Sequence, residues 1–275
     1  MAGYCGFQFR RKWIAAALGV GLAGAMHAPA FASDYCPDRP GLDTPPCVID
    51  RGYVSMEMSL GDWTRDSDAQ SVTDTVLLGD LALRLGIGQN TELRFAWTPY
   101  GQVHSRDRAG GTVASSSGAG DLTLAAKRNI LHPGGEGLSI AVLPSVTLPV
   151  GGDAIGSPTW SAGLQLPMSL AAFRSVSLML TPELDAAANG DGSGRHLAYG
   201  TAGGIGLSPL NGVNLALETS VMRDEEPSGP RTEALAGASL GVMLASGFQV
   251  DVGADFGLNR ASPRHHIYAG LARRF

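Results

Sequence analysis

The chain has 275 residues, with 20 Lys and Arg against 25 Asp and Glu, and only 16% of its residues are charged. Soluble domains carry about 25%, so there is too little charge here to cover a fully solvated surface. The acidic balance also argues against nucleic acid as a partner.

Residues 1–32 have the layout of a secretory signal: Arg10, Arg11 and Lys12, an apolar stretch from Ile14 to Met26, and a small-x-small site at Ala30-Phe31-Ala32. The apolar stretch is too short to span a bilayer as a helix. Its removal takes three bases and no acids, which leaves 17 bases against 25 acids, a net charge of −8, and Lys127 as the one remaining lysine.

Residues 33–52 are expected to form a periplasmic N-terminal segment. Cys36 and Cys47 flank the stretch PDRPGLDTPP. In an exported chain they read as a disulfide that closes a small loop, a constraint worth roughly 2–3 kcal/mol in the entropic model. Zinc needs more ligands than this pair, and no histidine follows within fifty residues. Neither a metal nor a cofactor is expected.

From residue 53 to 275 nearly every segment alternates with period two, the mark of strands with one apolar face. Val54, Met56, Met58 and Leu60 alternate with Ser55, Glu57, Ser59 and Gly61. The pattern recurs at Leu81–Ile87, Leu93–Trp97, Leu122/Leu124, Ile140/Val142, Leu164/Leu166, Leu178/Leu180, Leu197/Tyr199, Leu215/Leu217, Leu240/Val242, Val250/Val252 and Ile267/Leu271. That gives twelve candidate strands. Short turns (88–90, 131–137, 171–174, 208–212, 244–247) alternate with longer polar loops (64–71, 104–118, 151–158, 186–195, 223–230, 259–263).

Alternation alone also fits a soluble sandwich, but the polar face here is mostly Gly, Ala, Ser and Thr with scattered acids. Small residues suit a crowded interior, and the apolar face must then meet lipid. The reading is an all-β, closed antiparallel transmembrane barrel of about 12 strands in the bacterial outer membrane, with short periplasmic turns and longer external loops. Trp63, Trp97, Tyr100, Trp160 and Phe256 fall toward one rim, and Tyr53, Phe173, Phe248 and Phe275 toward the other. Phe275 ends an alternating strand and looks like the signal read by the barrel assembly machinery, an expected partner beside outer-membrane lipid and a small-molecule solute. Pro144, Pro167 and Pro182 cannot donate to a ladder. They mark strand ends, bulges or a kink that opens sideways into lipid.

Three motifs have bland readings. GTAGGIG at Gly200–Gly206 has no helix behind it and reads as strand glycines, not a phosphate loop. NGDGSGRH at Asn189–His196 lacks the glutamate of a calcium loop. The histidines sit beside no nucleophile signature, so no catalytic residue is expected. The inward-facing charges are the candidate functional set: Glu57, Asp80, Arg84, Glu92, Arg94, Asp121, Lys127, Glu183, Asp185, Glu218, Glu233, Asp251, Asp255 and Arg264. Ten acids against four bases should favour cations in an open lumen.

The stretches GAGD (Gly118–Asp121), LPVG (Leu148–Gly151) and TPELDAAANGDGSGRH (Thr181–His196), with the terminal phenylalanine, resemble the outer-membrane transporter family named for the MetA pathway of phenol degradation. The resemblance implies an outer-membrane channel for passive uptake of small hydrophobic or aromatic molecules, with no catalytic residues. A barrel enzyme acting on lipid and a closed structural or adhesive barrel are the alternatives. The cysteine-closed segment is not part of the resemblance.

Overall fold

A computed structural model describes residues 35–275 except 136 and 174, so the expected signal lies outside the described residues. Sixteen antiparallel segments form one sheet. In chain order they are β1 (Val54–Ser67), β2 (Ser71–Leu78), β3 (Leu81–Gly86), β4 (Thr91–Trp97), β5 (Tyr100–Asp107), β6 (Val113–Gly118), β7 (Leu122–Leu131) and β8 (Leu138–Leu148). The second half holds β9 (Ser161–Gln165), β10 (Met168–Phe173), β11 (Val176–Ala188), β12 (Arg195–Leu210), β13 (Val213–Asp224), β14 (Arg231–Ala245), β15 (Phe248–Gly257) and β16 (His265–Arg274).

Four breaks fall inside a stave of the wall and not at a hairpin. β2 runs into β3, β4 into β5, β6 into β7, and β9 into β10, so the segments join into twelve staves. β1 pairs with β2 and β3 on one side and with β16 on the other, which closes the barrel. Phe275 completes that closure: its N–H donates to the Val54 carbonyl (2.7 Å) and its carbonyl accepts from the Val54 N–H (3.2 Å).

The period-two pattern places the two faces. Leu83, Leu85, Phe95, Trp97, Leu178, Leu180 and Leu217 stand exposed on the outside. Ser55, Glu57, Ser59, Arg84, Glu92 and Lys127 are buried inside. This inversion of a soluble core is what a lipid-facing wall requires.

The structure departs from the sequence reading above the apolar band. Residues 64–71 and 104–118, expected as loops, are mostly strand, in β1, β2, β5 and β6. Their sequences are polar on both faces, as in VASSSG of β6, so no hydrophobic period reveals them. Among the described residues β6 pairs with β5 alone.

The three prolines converge on adjacent staves. Pro144 of β8 lies opposite Leu164 of β9, Pro167 separates β9 from β10, and the Pro182 carbonyl of β11 accepts from the Leu166 N–H (2.9 Å). Each proline removes a donor. Pairing of β7 with β8 lapses between Ala125–Ser145 and Arg128–Val142.

Closure leaves no unpaired edge in the membrane zone, so opening the barrel is strongly disfavoured until heat is applied. Unheated and boiled samples are expected to migrate differently on a detergent gel; identical mobility would contradict the closed barrel.

Candidate functional site: the occluded lumen

Residues 35–50 (YCPDRPGLDTPPCVID), within the stretch read from the sequence as a periplasmic N-terminal segment, lie inside the ring of staves and touch strands around its circumference. Prolines 37, 40, 45 and 46 keep the segment out of regular structure, so its backbone groups need side-chain partners. The wall supplies them. Glu57 accepts from the N–H groups of Asp38 (3.0 and 3.1 Å) and Arg39 (3.0 Å). Glu92 accepts from Ile49 N–H (2.7 Å), and Glu218 from Leu42 (3.1 Å) and Asp43 (3.0 Å). In the other direction, Arg84 donates to the Cys36 carbonyl (2.9 Å), Lys127 to those of Pro45 and Cys47 (3.0 Å each), Asn129 to Pro46 (3.0 Å), and Gln249 to Arg39 (2.8 Å).

Charge pairs reinforce these bonds. Arg84, fully buried, lies 2.8 Å from Glu57, 2.9 Å from Glu92 and 3.2 Å from Asp38. Lys127 lies 2.8 Å from Asp38, Arg94 also pairs with Asp38, and Arg39 reaches Asp251 at 3.0 Å. Burial pushes the Asp38 carboxyl up, but Arg84, Arg94 and Lys127 together draw it well below the usual carboxylate range. Its contribution to docking is therefore present above the ordinary value of 3.8 and is lost in acid as the pH falls below that.

The Cys36–Cys47 disulfide closes the segment. Close approach also explains two glycines: a Cβ at Gly86 would collide with the Ile49 and Asp50 carbonyls, and one at Gly270 with the Arg39 guanidinium.

Of the expected inward charges, Glu57, Arg84, Glu92, Arg94, Lys127, Glu218 and Asp251 thus converge on the segment or on its partners. The others lie elsewhere. Asp255 meets His266 (2.8 Å), which also reaches Asp62 (3.0 Å). Asp80 accepts from Thr98 (2.7 Å), Glu183 from Gln165 (3.0 Å), and Glu233 pairs with Arg231 (3.2 Å). Asp185 is half-buried on β11. Arg264 is exposed in the turn before β16, so the strand parity assumed for it does not apply. Asp121 accepts from the N–H groups of Gly151 (2.9 Å) and Ser157 (2.7 Å). GAGD and LPVG therefore act together, anchoring the loop that seats Ile155 against Gly101 and Gly120. Sequence reasoning missed Asp38, Arg39 and Asp43, and the uncharged Gln249, Asn129 and Thr181, because their partners lie far away in sequence.

A closed wall, apolar outside and polar inside, with short turns at one end, defines a bacterial outer-membrane β-barrel, here one occluded by its own N-terminal segment. The chain belongs to the family described as putative MetA-pathway of phenol degradation, whose model matches residues 38–275. Its fold is similar to a COG4313 outer membrane channel from Pseudomonas putida F1, with TM-score 0.66 and 12% identity over 86% of this chain and 100% of that one. The translocator domain of the autotransporter NalP from Neisseria meningitidis is also similar, with TM-score 0.52 and 15% identity over 82% and 88% of the two chains. The beta domain of the Bordetella autotransporter BrkA follows, with TM-score 0.50 and 12% identity over 82% and 100%. No curated protein matches the chain.

Arg84 holds three carboxylates at once, and removing one partner from a buried pair costs about 3–5 kcal/mol. Arg84→Ala is therefore expected to loosen residues 35–50 from the wall. The measurements are protease cleavage within 35–50 in the intact barrel and single-channel conductance, both of which should rise. Unchanged values would show that Arg84 does not hold the segment.

Proposed function

We propose that this protein is an outer-membrane channel for the passive uptake of small hydrophobic or aromatic molecules. The observation that carries the reading is the occlusion: residues 35–50 lie inside the ring and bond to polar and charged wall residues around it, which argues against a wide water-filled pore for polar solutes. Family membership supports the aromatic or hydrophobic substrate class. The seam at Pro144, Pro167 and Pro182 supports an exit through the wall into lipid, because donors are missing on three adjacent staves.

The enzyme alternative is disfavoured by the histidines. His266 is bonded on both ring nitrogens by Asp255 and Asp62. His196 is bonded by Asn189 (2.9 Å) and lies 2.8 Å from Asp224, which leaves neither ring to activate a serine.

The test is uptake of a radiolabelled monocyclic aromatic by porin-deficient cells with and without the protein, beside a sugar of similar size. Faster aromatic uptake with unchanged sugar uptake is expected, and equal rates for the aromatic would sink the reading. Replacing Pro144, Pro167 and Pro182 together by alanine restores the missing donors and should slow aromatic uptake severalfold while heat-dependent migration is kept.

A further inference from the structure

The external ends of β15, β16 and β1 carry bases that take no part in holding the occluding segment. A cavity of about 450 Å³ sits there, lined by Arg260, Arg264, His265 and Ser67, with Phe256 and Leu258 as its apolar side. No acid lines it. Elsewhere at this end the arginines are paired: Arg65 with Asp74 (2.8 Å), Arg223 with Glu225 (2.9 Å) and Arg231 with Glu233 (3.2 Å). Among the described residues Arg260 and Arg264 enter no ion pair. The acids on either side of Ser67 are directed elsewhere. Asp66 has the inward parity of Asp62, and the Asp68 carboxylate accepts from the N–H groups of Gln70 (2.7 Å) and Ser71 (2.6 Å).

The cavity lies on the outer face of the wall, at the head of an apolar groove on the same strands. Phe256 pairs with His265, Ala254 with Ile267 and Val252 with Ala269. On the far side of β16, Ile267 pairs with Trp63 and Ala269 with Gly61. All share the lipid-facing parity of Val252 and Ile267, which are 51% and 47% exposed. The groove, of about 520 Å³, has Gly61, Ala238, Ala254 and Ala269 along it, between Leu240 and Ile267. A Cβ at Gly61 would meet nothing within 4 Å, so the groove is open there. At its head His265 stacks on Trp63 (centroids 6.4 Å apart) and meets Phe256 edge-on (5.7 Å). Such an aromatic band marks the level where hydrocarbon gives way to headgroups. From Arg264 to Ala269 the strand runs about 17 Å, close to the roughly 15 Å of hydrocarbon in one leaflet.

We infer that this surface binds a phosphorylated, acylated lipid of the outer leaflet, the lipid A portion of lipopolysaccharide, with a phosphate between Arg260 and Arg264 and an acyl chain in the groove. Guanidinium forks match phosphate oxygens, and His265 has a ring N–H to add. A basic pocket at headgroup depth is the usual form of lipid headgroup recognition. The groove is what distinguishes a lipid from a free phosphate ion, which would occupy the cavity alone. The two unpaired bases favour lipid A over a zwitterionic phospholipid, whose ammonium already answers its phosphate. Because the groove crosses β1 and β16, the bound lipid braces the pair of strands that closes the barrel.

The site is independent of the solute and of the occluding segment. The experiment is native mass spectrometry of the detergent-solubilised protein titrated with bisphosphorylated lipid A, beside its dephosphorylated form, phosphatidylglycerol and inorganic phosphate. One lipid A is expected to stay bound, with dephosphorylated lipid A and phosphatidylglycerol each at least about tenfold weaker and inorganic phosphate unable to displace it. Arg260→Ala combined with Arg264→Ala should weaken lipid A binding by a similar factor. Gly61→Leu, which fills the groove and leaves both arginines in place, should weaken it severalfold. Both variants should keep heat-dependent migration, since neither touches the inward face. Equal affinity for the dephosphorylated lipid, or unchanged binding by the double arginine variant, would overturn the phosphate site. Phosphatidylglycerol bound as tightly as lipid A, displacement by inorganic phosphate, or unchanged binding by Gly61→Leu would overturn the assignment to lipid A in the groove.

Discussion

A wall immersed in hydrocarbon must satisfy its own backbone, and here that requirement is met when β1 pairs with β3 and β2 on one side and β16 on the other. Once the ring closes, period two can put only one face toward lipid. Leu178, Leu180 and Leu217 take that face, and Glu57, Arg84 and Glu92 are forced inward. Charges enclosed in this way cannot stay bare, because an unpaired buried charge costs several kcal/mol.

The N-terminal segment follows from the same constraint. A proline-rich stretch cannot join a sheet, and the wall's enclosed carboxylates and bases keep bonding capacity beyond their own ion pairs. Each resolves the other's problem: Glu57, Glu92 and Glu218 cap backbone N–H groups of the segment, while Arg84 and Lys127 take its carbonyls. The disulfide confines the segment to a loop, so fewer unbound conformations compete with this arrangement. Charge and hydrogen bonding are matched on the β1–β7 side. The mismatch is concentrated at Asp43 and Glu218, two acids that hydrogen-bond to each other.

The wall also shows where the closure constraint is relaxed. Pro144, Pro167 and Pro182 are far apart in sequence but meet on neighbouring staves, so three separate losses of a donor become one weak seam. A sideways path for an apolar solute would be least costly there.

The sequence by itself determined the all-β barrel, its twelve staves and the split into lipid-facing and inward-facing residues, because period-two alternation over 222 residues from Val54 has one physical solution in a membrane. It also paired Cys36 with Cys47, since they alone remain after an expected signal. The polar outer halves of the staves, such as β6, were hidden because strands with water on both faces carry no apolar period. Only the tertiary structure decided that residues 35–50 sit within the ring, that Asp38 answers Arg84, Arg94 and Lys127, and that Asp43 is left with Glu218. Those pairings span up to 175 residues of chain, and neither composition nor local pattern encodes which distant groups face one another.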